Sequence, residues 1–180
     1  MIHFHMPAKE LFILQLKHGG IPEKIYRTLD IKEKMMLEKR RGRYFLKDDE
    51  RRKIRVVLTG GVFDILHAGH VFTLYEAKKF GDVLVVVVAT DRTVKKFKKR
   101  KPVNSEEYRA FIVNALKPVD VAIVGRKNFQ ETIDLVKPDV VVFGYDQKEF
   151  PVKGAKIVKL KKGVGEKKFK TSRIIKELEL

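Results

Sequence analysis

The segment Gly60-Gly61-Val62-Phe63-Asp64-Ile65-Leu66-His67-Ala68-Gly69-His70 concentrates the side chains of this chain best suited to chemistry. It follows a short apolar run, Ile54 to Leu58. It leads into His70 to Phe80, where Val71, Leu74, Tyr75 and Lys78 recur at helical spacing. A turn from a strand into a helix presents free backbone N–H groups and the positive end of the helix dipole, a combination that attracts anions. Gly60 and Gly61 let a triphosphate come close to the backbone. His67 and His70 stand three apart at the helix start, with Gly69 between them keeping space open. Such a pair can donate hydrogen bonds to phosphate oxygens as charge builds in an in-line displacement. Asp64 suits a ligand contact and a turn cap about equally. A metal site is the weaker reading of the pair, because His3, His5 and His18 all lie near the N-terminus without metal-type spacing.

Hydroxyl and basic groups also cluster late in the chain. Lys170-Thr171-Ser172-Arg173 precedes a helical stretch expected over Ser172 to Leu178, and hydroxyls with a basic side chain at a helix start suit β- and γ-phosphates. Thr and Ser are also ordinary helix caps, so their weight comes from pairing with the first segment. The run Lys95, Lys96, Lys98, Lys99, Arg100 and Lys101 reads mainly as a solvated face, and Asp91 as a cap of the helix that follows it.

The elements that must position these groups alternate. Strands are expected over Ile54–Leu58, Val83–Ala89, Val121–Val124, Val140–Phe143 and Lys156–Leu160. Helices are expected over His70–Phe80, Ser105–Leu116 and Asn128–Val136. The β-branched run from Val83 is what a strand buried on both faces requires. The order predicts an α/β fold with a Rossmann-like, doubly wound parallel five-stranded sheet over residues 53–180. Ligands of such sheets bind outside the carboxyl ends of the strands, so the loops after Leu58, Ala89, Val124 and Phe143 should form the site. A dinucleotide-binding dehydrogenase would need Gly-x-Gly-x-x-Gly, a spacing that Gly60, Gly61 and Gly69 do not keep.

Residues 1–52 read as a small helical appendage. It comprises a helix over Ala8–Lys17 closed by Gly19-Gly20, a second opened by Pro22, a third over Lys32–Arg40, and a strand pair or arm over Arg43–Lys47. The pattern is also compatible with a winged-helix module, although the packed appendage is favoured about two to one.

The net charge of +17 suits anionic partners such as nucleotides, phosphorylated metabolites or nucleic acid. It is not concentrated in the appendage: residues 1–53 hold 14 Lys/Arg and 8 Asp/Glu, a net of +6 against +11 for the remainder. That distribution argues against a dedicated DNA reader. With no cysteine there is neither a disulfide nor a thiolate nucleophile. No apolar stretch approaches the roughly 20 residues of a membrane span, and no secretory signal is evident, so a cytoplasmic protein without membrane contact is expected. Abundant Lys and Glu without Cys or Trp suit a thermophile.

Gly-x-Phe-Asp followed by His-x-Gly-His, here Gly61-Val62-Phe63-Asp64 and His67-Ala68-Gly69-His70, resembles the signature of the cytidylyltransferase-like nucleotidyltransferases of the HIGH superfamily. Thr171-Ser172-Arg173 fills the place of that family's late Thr/Ser-rich element, and Gly144-Tyr145-Asp146-Gln147 resembles its nucleotide-contacting loop. The resemblance implies catalysis by His67, His70, Lys98 and Arg109. It implies nucleotide binding by Gly61, Val62, Phe63, Gly69, Gly144, Asp146, Thr171, Ser172 and Arg173, and acceptor binding by Asp64, Lys98, Arg100 and Arg109. Where bacterial glycerol-phosphate enzymes have Asp-Trp this chain has Asp146-Gln147, which with Lys117-Pro118-Val119-Asp120 is closer to archaeal members, FAD synthases among them. The cysteines typical of those FAD synthases are absent.

The implied reaction moves a nucleoside monophosphate from CTP or ATP to a phosphorylated small-molecule acceptor and releases pyrophosphate. CTP is slightly favoured, and adenylyl transfer to FMN is the runner-up. A phosphomonoester has its second pKa near ~6 and is already an anionic nucleophile at neutral pH, so no general base is required. Mg²⁺ would arrive on the triphosphate, with Asp64 as its one candidate protein contact and no dedicated protein cage. A homodimer is implied by the family, and a nucleic-acid-binding regulator with a nucleotide-sensing domain is the alternative from another class.

Overall fold

The computed structural model describes residues 7–126, 128–163 and 174. It divides into two compact units, residues 1–55 and 56–180.

The first unit opens with α1 (Ala8–His18), whose Leu11, Phe12 and Leu16 are buried. Gly19 at φ 63° and Gly20 at φ 102° close it, a left-handed exit that residues with side chains rarely adopt. Pro22 precedes α2 (Glu23–Thr28). Asp30 starts α3 (Ile31–Met35) with a capping box, its carboxylate accepting from Glu33 N while Glu33 accepts from Asp30 N, both at 2.7 Å.

The third helix stops at Met35 instead of running to Arg40. Leu37–Arg40 is strand β1, paired antiparallel with β2 (Arg43–Leu46). The hairpin turns through Arg41 and Gly42, both at positive φ, the backbone hand that matches strand twist in a two-residue turn. Leu37 faces Leu46 across it and both are buried. A helix through Leu37 would forfeit that pairing. Ile21 adds an antiparallel bridge to Tyr44, and Tyr44 stacks on Tyr26 with ring centroids 3.5 Å apart. A short α4 (Asp48–Arg51) follows, which the sequence pattern does not announce.

The second unit contains β3 (Val56–Gly61), α5 (Ala68–Lys78), β4 (Val83–Val88), α6 (Asp91–Lys98), α7 (Glu106–Asn114), β5 (Val121–Val124), α8 (Phe129–Val136), β6 (Val140–Phe143) and β7 (Lys156–Lys159). The strands form one parallel sheet in the order β5-β4-β3-β6-β7, the Rossmann-like doubly wound arrangement expected. Chain order reverses beside β3, placing a crevice at the carboxyl ends of β3 and its neighbours. Val57, Leu84, Val86, Val113, Val140 and Val142 are at most 1% exposed at the centre of this unit, so the strands that carry the loops form a rigid base. Two carboxylates fix strand starts: Asp139 accepts from Val56 N and Asp120 from Leu84 N, each at 2.7 Å. The expected helix over Ser172 to Leu178 lies outside the described residues except for Ile174, which is helical.

Candidate functional site

β3 runs to Gly61 and α5 starts at Ala68, with His67 in the N-cap position. The His67 backbone is extended and its side chain makes no cap hydrogen bond, so the imidazole is free of the helix end. One turn on, His70 lies beneath it. The two rings stack with centroids 3.8 Å apart and planes 22° from parallel, and His70 also meets Phe63 at 5.1 Å. Phe63 is buried at φ 53°, a strained position for an aromatic residue, and it holds the inner side of the pair.

Burial pushes both histidines below the usual range. For His67 the negative charge of Asp146 works against burial. For His70, burial and then the charge of His67 bring the pKa down to about 4. Both are therefore neutral near pH 7. The Nδ1 atoms of both rings are buried without a hydrogen-bond partner among the described residues. A buried nitrogen left unsatisfied costs free energy, so the pair is primed for an external partner. Neutral imidazoles offer one donor and one acceptor each, and an arriving phosphate raises their proton affinity.

Asp64 is held inside the protein. Its carboxylate accepts from Arg100 at 2.8 Å, from Val103 N at 2.7 Å and from Asn104 N at 3.1 Å, and its side chain is fully buried. It ties the turn after β3 to the segment between α6 and α7. Arg109, expected to hold the acceptor phosphate, is also interior. Its guanidinium donates to Asn104 O at 3.0 Å, to Val62 O at 2.5 Å and to Asp91 Oδ1 at 2.5 Å. Asp91 is the first residue of α6 rather than its cap: Thr90 accepts from Thr93 N at 3.1 Å and takes that role. Among the described residues no group of three or more His, Asp or Glu side chains could hold a metal ion.

A cavity of about 440 Å³ opens at the carboxyl ends of β3, β4 and β6. Gly60, Gly61 and Val62 form one wall, Lys98 of α6 reaches its edge, and Gln147 closes another side. Gln147 accepts from Gly144 N and donates to Gly60 O, both at 2.8 Å, stitching the loop after β6 to the end of β3. Gly144 is buried behind that loop and Asp146 is exposed on it. Gly69 is the second residue of α5, beside the histidines. Thr171, Ser172 and Arg173 lie outside the described residues.

The structure thus gathers Gly61, Val62 and Lys98 on one cavity, pairs His67 with His70, and sends Asp64 and Arg109 into the supporting layer. The cavity also includes three phenylalanines to which the sequence pattern assigns no role: Phe129, Phe143 and Phe150. Phe150 directly follows the polar stretch Gln147-Lys148-Glu149, the one local sign that it has a task.

Comparison with known proteins shows the family. The profile of the cytidylyltransferase-like family matches residues 58–178. The chain belongs to that family. Curated relatives include proteins named FAD synthase from three archaea. That of Aciduliprofundum boonei is 55% identical over 96 residues, 53% of this chain and 63% of the relative. That of Thermococcus sibiricus is 49% identical over 54% of this chain and 67% of its own. That of Pyrococcus horikoshii is 52% identical over 53% and 66%. The match thus spans about two thirds of each relative's length. Among solved structures, the lipopolysaccharide core biosynthesis protein of Thermoplasma volcanium is similar to this cytidylyltransferase-like chain, with TM-score 0.56 and 40% identity over 59% of the chain and 96% of that protein. No helix among the described residues is long and apolar enough to cross a membrane.

Proposed function

We propose that this chain transfers the adenylyl group of ATP to FMN, forming FAD and pyrophosphate. The observation that carries the reaction class is the stacked, neutral His67–His70 pair with unsatisfied Nδ1 atoms at the start of α5, the helix that follows the glycine end of β3. The choice of ATP and FMN over CTP and another phosphomonoester rests on the FAD synthases, 49–55% identical over the aligned regions. The slight preference for CTP in the sequence motifs gives way to that similarity.

In the proposed reaction a phosphate oxygen of FMN attacks the α-phosphorus of ATP. A new P–O bond forms, the bond to the β-phosphate bridging oxygen breaks, and pyrophosphate departs. His67 and His70 donate hydrogen bonds to the phosphate oxygens where charge develops, and Lys98 neutralises charge at the cavity edge. Mg²⁺ enters as part of the magnesium–ATP substrate. The Asp64 carboxylate accepts three hydrogen bonds within the protein, so Asp64 is assigned no metal contact. Asp64 and Arg109 act as positioning residues, and Arg100 holds Asp64 in place. Thr171, Ser172 and Arg173 are proposed to hold the leaving pyrophosphate on the strength of the motif alone.

Pyrophosphate release measured with ATP and with CTP, each against FMN, glycerol-3-phosphate, phosphocholine, phosphoethanolamine and phosphopantetheine, tests the reading. Turnover confined to ATP with FMN supports it; turnover confined to another pair replaces it.

A second reading concerns residues 1–55. Helices α1–α3, the Ile21–Tyr44 bridge and the β1-β2 hairpin follow one another in winged-helix order, and Arg40, Arg41 and Arg43 flank the hairpin turn. Binding of random duplex DNA that weakens with salt, measured by fluorescence anisotropy, would support a nucleic-acid role. Binding no tighter than that of a neutral polymer would remove it.

A further inference from the structure

We infer that Phe129, Phe143 and Phe150 form the subsite for the isoalloxazine ring of the acceptor, with the acceptor's anionic end directed to Lys98. The inference rests on the flavin reading above and adds to it the residues that recognise the ring. Phe150 meets Phe129 edge-on at 4.8 Å and 82°, and Phe143 at 5.0 Å and 72°. All three line the cavity at the carboxyl ends of the strands. Phe143 is buried at the end of β6, whereas Phe129 and Phe150 are 43% and 42% exposed. Two phenylalanines held together at a cavity wall, each with much of its ring uncovered, leave apolar area for a ligand to cover.

The chemistry around the aromatic corner narrows the occupant. Thr93, Lys98 and Lys148 line the same cavity, so a ligand with a broad apolar ring and an anionic tail matches its composition. No carboxylate is among the described lining residues, and the amide of Gln147 is spent on Gly60 O and Gly144 N. Thr59 donates its hydroxyl to Val142 O. Among the described residues the lining therefore offers no free side-chain amide or carboxylate to read the amino edge of adenine. A ring system with an apolar edge loses less there, because it meets carbon on the Phe side and needs fewer directed hydrogen bonds. The dimethylbenzene edge of a flavin meets that requirement, which assigns this corner to the acceptor and leaves the base of ATP elsewhere.

The test uses the full chain and flavin fluorescence, which is quenched when the ring stacks on aromatic side chains. FMN and riboflavin are titrated into the wild type, Phe129→Ala and Phe150→Ala, with ATP affinity measured separately by calorimetry. Phe150→Trp serves as a conservative variant, and because the chain contains no tryptophan it also supplies a reporter at the corner. The expected result is quenching by the wild type, a Kd for FMN and riboflavin raised about tenfold or more in the alanine variants, an ATP Kd changed less than about twofold, and affinity kept in Phe150→Trp. Wild-type flavin binding with alanine variants unchanged overturns the inference alone. Loss of ATP affinity in place of flavin affinity overturns it and gives the corner to adenine. No flavin binding by the wild type overturns the inference and the proposed function together.

Discussion

The imidazole rings of His67 and His70 lie 3.8 Å apart and nearly parallel, with both Nδ1 atoms buried and unpartnered among the described residues. This geometry places two uncharged donors at the end of a helix that favours anions. Replacing either with Ala is expected to lower kcat by about 10²–10³-fold, the scale seen when one preorganised donor to a developing charge is removed. KM for ATP should change much less, because the contact strengthens in the transition state. The double variant should lose less than the product of the single losses, since the rings act as a unit. Steady-state kinetics on the three variants checks both statements.

The depressed pKa of His70 has a consequence for stability. Its folded value is about 4 and its unfolded value 6.5, so between those pH values the unfolded chain binds more protons. Stability therefore falls as pH drops from 6.5 toward 4, with on the order of 3 kcal/mol attributable to this group. His70→Asn should flatten the acid limb of a denaturation curve over that window and leave the slope above pH 7 unchanged. An identical acid limb in the variant contradicts the assignment.

Arg109 joins the turn after β3, the start of α6 and the segment before α7 through Val62 O, Asp91 and Asn104 O. Arg109→Met strands two carbonyls, while Asp91, partly exposed, can rehydrate. A loss of about 3 kcal/mol is expected, with a lower melting temperature. Arg109→Lys should recover only part of it, because an ammonium cannot reproduce the fork. Chemical denaturation of the two variants provides the measurement.

Gln147→Ala is expected to leave Gly60 O and Gly144 N without their partner and loosen the loop after β6. The cost should be about 1–3 kcal/mol, read partly as a raised KM, because the freed loop borders the cavity. Hydrogen exchange at Gly144 should quicken in the same variant. Unchanged exchange there would show that the amide does not hold the loop.

Much of the fold was legible because its signals are local. Val83 to Val88 reads as a buried strand because β-branched residues follow one another without a break. The helices expected to start at Ser105 and Asn128 do begin there, with these two residues as N-caps, each accepting a backbone N–H three residues on. α6 was obscured because its lysine-rich sequence has only Val94 buried and depends on Thr90 to begin. The third helix was drawn too long because Leu37 and Leu46 decide its end by meeting across a hairpin, a contact absent from either segment alone.

The site divides in the same way. The histidine pair and its glycines are contiguous and could be read directly. Arg109 looked like a ligand contact because an arginine near a nucleotide motif suggests a phosphate, yet the chain brings two carbonyls and Asp91 to it first. The Phe129–Phe143–Phe150 corner joins the start of α8, the end of β6 and the loop beyond it, so no periodicity could announce it.

The most direct measurement incubates the chain with magnesium–ATP and FMN and separates the flavins by chromatography with mass detection. The account predicts FAD formed one-for-one with pyrophosphate, and none from the His67→Ala, His70→Ala double variant. Absence of FAD with the wild type, or its undiminished formation by the double variant, would contradict it.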